Sequence, residues 1–326
     1  MSTSRSRVVF MGTPDFAVPT LQALIKAPDM DVVAVVTQPD RPAGRGQSIQ
    51  MSPVKKVALV NDIPVQQPER THRSPAFEEL AALAADFFVV TAFGQILKQK
   101  VLDLPRVAPI NVHASLLPRW RGAAPIQYAI RAGDQFTGIT TMQMDAGLDT
   151  GPILLQDSIP IESTETGQSL HDKLAAMGAN LLILTLRWLL DGSIVPQPQP
   201  DDDNLVTYAP TLKKEEGAIN WTQGAIQIDR HVRAFTPWPG TYTHWNGKRL
   251  KILAGYPLNL DLDLAPGQVA DTREMDLVTP TPFVVGTQRW AYAPSQVQLA
   301  GRQAQDAADF LNGAPDFFGS TLGAAE

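Results

Sequence analysis

The chain has 326 residues, a net charge of -6, 44% hydrophobic and 18% charged residues, and no cysteine. This is the composition of a globular protein able to bury a core, and the length fits two domains. The acidic balance requires any polyanion to be met by a local basic patch. The missing cysteine excludes disulfides, thiolate metal sites and a cysteine nucleophile, and suits a reducing cytoplasm. The opening MSTSRSR runs straight into an apolar strand, so no targeting segment is expected. The most apolar later run, residues 181–190, is interrupted by Arg187 and too short to span a bilayer, so no membrane segment is expected.

Residues 7–11 (RVVFM) predict a first strand, followed by a Gly12-Thr13-Pro14 turn and a helix begun at Asp15. Val18, Leu21, Leu24 and Ile25 recur at helical spacing, and residues 31–37 (DVVAVVT) predict a buried strand. Strand, helix and strand at this spacing form a parallel, doubly wound unit. The first turn lacks G-x-G-x-x-G, so the dinucleotide fingerprint is absent. Residues 38–51 are polar, rich in Gly and Pro, and long for a βα connection. Between 38 and 56, Arg41, Arg45, Lys55 and Lys56 stand against one acid, Asp40. The stretch is either a solvated loop or a basic flap for phosphate.

Helices are expected at 53–60 and 75–85, and a strand at 86–92. Gly94 permits close backbone approach, and Ile96 and Leu97 fit either core or a pocket wall. An apolar run at 107–110 then leads into Asn111-Val112-His113. Alternation puts both polar groups on one side of the strand. They stand at its tip, where open α/β sheets place ligands. Asn donates from its amide, and His donates, accepts or carries a proton near neutral pH. The pair suits chemistry in which a carbonyl oxygen becomes negative, although taken alone it reads first as a strand end with two satisfied polar residues.

Next come a helix at 125–132, a strand at 137–144 and the loop 145–151 (DAGLDTG). Its two glycines and two acids mark a tight ligand-facing turn, in which Asp149 alone reads as a capping residue. A strand at 153–159 precedes a long helix with Leu170, Leu174, Met177, Leu181 and Trp188 on one face and His171 exposed. The helix ends at Asp191-Gly192, and residues 193–204 are linker by composition. Beyond them, β-type runs at 241–245, 250–254, 277–278, 283–285 and 290–291 predict a small barrel, with a closing helix at 305–312. Between 229 and 251, Arg230, Arg233, Lys248, Arg249 and Lys251 face one acid, Asp229, with Trp238 and Trp245 among them. Basic residues interleaved with aromatics on a small barrel suit single-stranded nucleic acid. The other reading is a solvated face over two core tryptophans.

Together the motifs GTPDF at Gly12, QPDRPAGRG at Gln38, NVHASLLPRWRGAAPIQ at Asn111 and MDAGLDTG at Met144 resemble the methionyl-tRNA formyltransferases. The resemblance continues through TYA at Thr207, KEE at Lys214, INW at Ile219 and RAFTPWP at Arg233, covering nearly the whole chain. It implies an α/β fold: a doubly wound, mostly parallel formyl-transfer domain at 1–189, a linker at 190–209, and a small OB-like β-barrel domain for tRNA at 210–326. It implies catalytic roles for Asn111, His113 and Asp149. Folate contacts fall on Ser115, Leu116, Leu117 and Pro118, with a pterin pocket at Ile96 and Leu97. Contacts to tRNA fall on Arg41 and Arg45 of the flap and on Arg230, Arg233, Lys248, Arg249 and Lys251.

The implied reaction moves the formyl group of 10-formyltetrahydrofolate to the α-amine of methionine on initiator methionyl-tRNA. It needs no metal, and five scattered His with no Cys offer no clear metal site. A cytoplasmic monomer is expected. Two departures stand out: Gly301-Arg302-Gln303 where relatives have G-K-K, and Phe93 where Tyr is usual. A rival is another folate-dependent formyltransferase, or a formyl-folate hydrolase, acting on a small molecule. That rival needs neither flap nor barrel. A non-catalytic tRNA- or folate-binding protein is opposed by the intact Asn, His and Asp.

Overall fold

The structure, a computed structural model, describes residues 5–43, 48–200, 202–260 and 262–323. The chain divides into two compact units, one of Met1–Pro125, Phe136–Pro160 and His171–Ala209, the other of Ile126–Gln135, Ile161–Leu170 and Pro210–Glu326. Residues 190–209 therefore group with the first unit rather than standing apart as a linker, and two short segments from before residue 189 group with the second.

Up to residue 209 the chain forms β1 (Ser6–Gly12), α1 (Val18–Lys26), β2 (Met30–Val36), a hairpin of β3 (Arg41–Ala43) and β4 (Ser48–Gln50), α2 (Pro53–Val60), β5 (Val65–Gln66), α3 (Ala76–Ala82), β6 (Phe87–Thr91) and α4 (Gln99–Leu102). It continues through β7 (Ala108–His113), β8 (Arg121–Gly122), α5 (Pro125–Ala132), β9 (Phe136–Gln143), β10 (Ile153–Pro160), α6 (Gly167–Leu190) and β11 (Tyr208–Ala209). Local chemistry sets several boundaries. The hydroxyl of Ser52 accepts from the Lys55 amide and Pro53 occupies the first turn, so α2 starts there. The polar 38–51 stretch, expected as loop, carries the β3–β4 hairpin.

The main sheet has the order β10-β9-β7-β6-β1-β2-β5. Strands β7, β6, β1, β2 and β5 are parallel; at one edge β9 runs antiparallel to β7, and β10 antiparallel to β9. The chain builds outward from β1 to β5, then crosses back to β6 on the other side of β1. That reversal opens a crevice at the carboxyl ends of β1 and β6, next to the end of β7. The apolar runs that predicted these strands are buried on both faces, as parallel sheets require. Helix α6, which contains the apolar 181–190 run, has 24 residues and is long and apolar enough to cross a membrane. Here Leu174, Ala175, Leu182 and Leu186 are buried in the fold. Gly178 lets α6 approach β7 closely: a Cβ there would lie 2.8 Å from the Val112 side chain.

The second unit contains α7 (Ala225–Ala234), β12 (Thr241–Trp245), β13 (Lys248–Leu258), β14 (Val269–Asp271), β15 (Phe283–Gly286), β16 (Ala291–Leu299), β17 (Gln305–Asp306) and α8 (Ala307–Leu311). Its antiparallel sheet has the order β12-β13-β16-β15-β14, with β17 on β16. Residues 319–323 bond to both edge strands: Gly323 exchanges two hydrogen bonds with His244 of β12, and the Val269 amide of β14 donates to the Ser320 carbonyl. Phe283, Phe310, Phe317 and Trp245 pack edge to face in the core. Three sequence expectations change. Residues 277–278 form no strand, β14 lies upstream of them, and residues 225–234 form a helix that the charge-based reading passed over.

Candidate active site

Alternation along β7 brings Asn111 and His113 to the carboxyl end of the sheet, both buried. The 145–151 turn carries Asp149 to meet them. The Asn111 amide donates to Asp149 Oδ1 at 3.4 Å, and His113 Nδ1 lies 3.7 Å from Asp149 Oδ2. The same oxygen accepts from the Gly122 amide at 2.8 Å. His113 Nε2 is 3.0 Å from the Trp120 carbonyl. Both imidazole nitrogens thus face oxygen atoms, the Trp120 carbonyl at hydrogen-bond distance and the Asp149 carboxylate just beyond it. The second amide hydrogen of Asn111 has no partner among the described residues. The cluster therefore offers a free amide donor, an imidazole and a carboxylate side by side.

The backbone around the cluster is held in unusual conformations. Asp149 has φ 52°, Trp120 φ 62° and Gly122 φ 118°. Two of these are non-glycine residues in the left-handed region, which persists only where the surroundings fix it. A side chain on Gly122 would strike the Ala209 carbonyl at 2.7 Å. Sequence reasoning missed Trp120 and Gly122 as site residues because they act through backbone atoms. Only the turn-like RWRG composition hinted at them.

The segment expected to contact folate lies on the same loop. Ser115 and Leu117 are buried, and Leu116 and Pro118 are half-buried. The Ser115 hydroxyl donates to the Arg119 carbonyl at 2.6 Å, so it shapes the turn. Thr140 of β9 fastens the loop by accepting from the Leu117 amide and donating to the Ser115 carbonyl. Ile96 and Leu97, expected together as a pocket wall, separate: Ile96 is 77% exposed, whereas Leu97 packs in the core with Phe93 and Val101.

Ile96 lines a cavity of about 700 Å³ with Gln38, Arg41, Arg70, His72, Gln95 and Lys98, at the ends of β2, β5 and β6. Partial burial and the cations of Arg73, Arg70, Lys100 and Lys98 hold the His72 imidazole below its ordinary pKa. Arg41 is exposed on the hairpin, and Arg45 lies outside the described residues. Lys55 is tied to Asp40 in an ion pair that keeps the Asp40 carboxyl below its usual range.

In the second unit the five expected basic residues fall into two groups. Arg230 and Arg233 lie on α7, not on the sheet. Arg233 is occupied: Nε donates to Asp229 at 2.7 Å and Nη1 to the Glu165 carbonyl at 2.8 Å. Burial pushes the Asp229 carboxyl up against the pull of Arg233. Lys248, Arg249 and Lys251 lie exposed on β13. The aromatic partners are not those expected. Trp245 is core, as the second reading has it, whereas Trp238 precedes β12 and is 51% exposed. Instead Tyr242 and His244 stand opposite Lys251 and Arg249 in register, with Arg249 4.0 Å above the Tyr242 ring. Among the described residues no group of three His, Asp or Glu is placed to hold a metal ion.

Residues 6–186 match the formyl transferase family and residues 211–315 its C-terminal domain. The chain is 47% identical to a methionyl-tRNA formyltransferase of Pseudomonas fluorescens, with 98% of each chain covered. It is 46% identical to one of Geobacter sulfurreducens, covering 98% of this chain and 97% of that one. Among solved structures it is similar to WlaRD, a sugar 3N-formyl transferase studied with dTDP and 5-N-formyl-THF, with TM-score 0.64 and 19% identity over 91% of this chain and 99% of that one. At that identity the structural likeness speaks for the fold.

Proposed function

The chain belongs to the methionyl-tRNA formyltransferase family, and from that premise we propose that it transfers the formyl group of 10-formyltetrahydrofolate to the α-amine of methionine on initiator methionyl-tRNA. The observation that carries the reading is the convergence of Asn111, His113 and Asp149 within 3.4 to 3.7 Å at the carboxyl end of the sheet.

The α-amine has a pKa of about 7.7 to 8.0, so a neutral fraction is available near pH 7. Its attack on the formyl carbon turns the carbonyl oxygen into an oxyanion. Asn111 holds its free amide hydrogen towards that oxygen, and protonated His113 supplies positive charge beside it. Asp149 keeps His113 charged and passes the amine's proton towards the departing folate nitrogen. Collapse of the intermediate then expels tetrahydrofolate and leaves the formamide on methionine. Ser115, Leu116, Leu117 and Pro118 form the folate side of this site, with Ile96 at its edge. Leu97 supports that wall from the core.

We assign formyl transfer to residues 1–189 and tRNA binding to 210–326, joined through 190–209. Arg41 and Arg45 on the flap and Lys248, Arg249 and Lys251 on β13 meet phosphates. Arg230 and Arg233 belong to the same reading, although the ion pair of Arg233 makes its contribution the weakest of the set. The protein is read as a cytoplasmic monomer, and size-exclusion chromatography checks the oligomeric state. The decisive assay offers 10-formyltetrahydrofolate with either methionyl-tRNA or a small amine such as a nucleotide-linked amino sugar. Formylmethionyl-tRNA is the expected product. Formylation of the small amine alone, or hydrolysis to formate alone, would overturn the reading.

A further inference from the structure

We infer that Gln199 is a positioning residue for Asp149, a role that rests on the transfer reaction proposed above. Composition marks residues 193–204 as a linker, but the structure binds this stretch to the catalytic loops. Gln197 exchanges two backbone hydrogen bonds with Ile153, at 2.7 and 2.8 Å. Two residues on, Gln199 sits between Pro198 and Pro200, whose rings restrict the local backbone. Its Nε2 donates to the Asp149 carbonyl at 2.7 Å and to the Gly151 carbonyl at 2.9 Å. Its Oε1 accepts from Arg121 Nη2 at 2.6 Å and Nε at 3.2 Å.

The orientation of this amide is not arbitrary. A guanidinium only donates and a carbonyl only accepts, so the network permits one way round. Arg121 is also the neighbour of Gly122, whose amide holds the Asp149 carboxylate. A closed circuit results: Gly122 fixes the carboxylate of Asp149, Arg121 orients Gln199, and Gln199 fixes the Asp149 carbonyl. The same stretch grips the opposite loop further on. The Thr207 hydroxyl accepts from the Trp120 amide at 2.8 Å and the Thr207 carbonyl from the Arg121 amide at 2.9 Å. Asp149 keeps its left-handed φ of 52° inside this circuit. Loss of the two carbonyl anchors lets the turn relax and swings the carboxylate away from His113. A misplacement of about 1 Å typically lowers turnover by about 10²-fold.

The test uses the full-length protein with Gln199→Ala and the isosteric Gln199→Glu, which keeps volume and the Arg121 contact but loses both donors. Steady-state formyl transfer gives kcat and the KM for each substrate. Both variants are expected to lose about 10²-fold in kcat with both KM values unchanged. Gln199→Ala combined with Asp149→Ala should be no slower than Asp149→Ala alone, because one acts through the other. Wild-type kcat in Gln199→Glu, a multiplicative loss in the double variant, or a lowered Tm with intact kcat would each overturn the role. A wild-type protein that forms no formylmethionyl-tRNA would instead overturn the reaction, and the role with it.

Discussion

Around Asn111, His113 and Asp149 each polar side chain meets a fixed partner, and the turns that carry them are bent into left-handed backbone. On β13, Lys248, Arg249 and Lys251 stand in solvent with no carboxylate in ion-pair range among the described residues, and only the Tyr242 ring supports Arg249. The first region works by geometry. The second, in the role proposed for it, works by charge density, with positions free to adjust. Function in the first should fail abruptly on a single substitution and be indifferent to salt. In the second it should decline by degrees and depend on ionic strength.

The sharpest break in this contrast is Asn111→Ala. Removing one oxyanion donor costs about 10² to 10³ in rate, so kcat should fall by that factor at every salt concentration while the fold is kept. Asp149→Ala should match it, and His113→Asn should bind folate yet turn over slowly, since a neutral amide supplies no charge. Wild-type turnover in any of the three would end the assignment.

A buried group in the second unit gives the next largest effect, this time on stability. Burial holds the His231 imidazole down at about pKa 4, with the charge of Arg131 adding to the shift. Above pH 6.5 both folded and unfolded states are neutral, and nothing is lost. As pH falls from 6.5 towards 4 the unfolded chain takes up a proton that the folded chain refuses, so the fold weakens. The loss should reach about 2 kcal/mol by pH 5 and level off near 3 kcal/mol below pH 4. Urea midpoints of wild type against His231→Gln isolate it; parallel pH curves would rule it out.

Arg233 separates the two modes of action within one set of cations. Arg233→Ala leaves Asp229 largely buried and unpaired, so it should destabilise by about 2 kcal/mol, short of the ~3–5 kcal/mol for a fully buried pair. Its tRNA affinity at temperatures where it is folded should change little. A normal melting curve with weakened, salt-sensitive binding would return Arg233 to the tRNA surface. The smallest effect belongs to Lys248→Ala with Lys251→Ala. Each lost phosphate contact should flatten the log-log salt dependence of tRNA binding by about 0.7 to 0.9. An unchanged slope would remove β13 from the interface.

Legibility follows the same division. The β7 alternation, the DAGLDTG turn and the Ser52-Pro53 helix start are local patterns, and each marks its element in the sequence. Helix α7 was legible in principle, since Ala225, Ile228 and Val232 recur at helical spacing, but its charges drew attention from its period. Trp245 was legible as core only as one of two readings, because the alternation of Thr241, Thr243 and Trp245 fixes which residues share a face and not which face is inward. The roles of Gly122, Trp120 and Gln199 depend on residues 121–122 pairing with 208–209. No local pattern encodes that register.

That β8–β11 pairing joins residues 87 positions apart at Trp120 and Thr207. Closing so long a loop has an entropy cost that only the contacts formed on closure can offset. The parallel strands up to β7 pair without it, but the loops bearing His113's partner and Asp149 are held by Gln199 and Thr207 from the far end of that loop. Competence for transfer therefore rests on these late-chain contacts, and local opening around Gln197, Gln199 and Thr207 is expected to erase it while the sheet stays intact. Amide hydrogen exchange should show Trp120, Arg121 and Ala123 losing protection together, ahead of the strands beneath them.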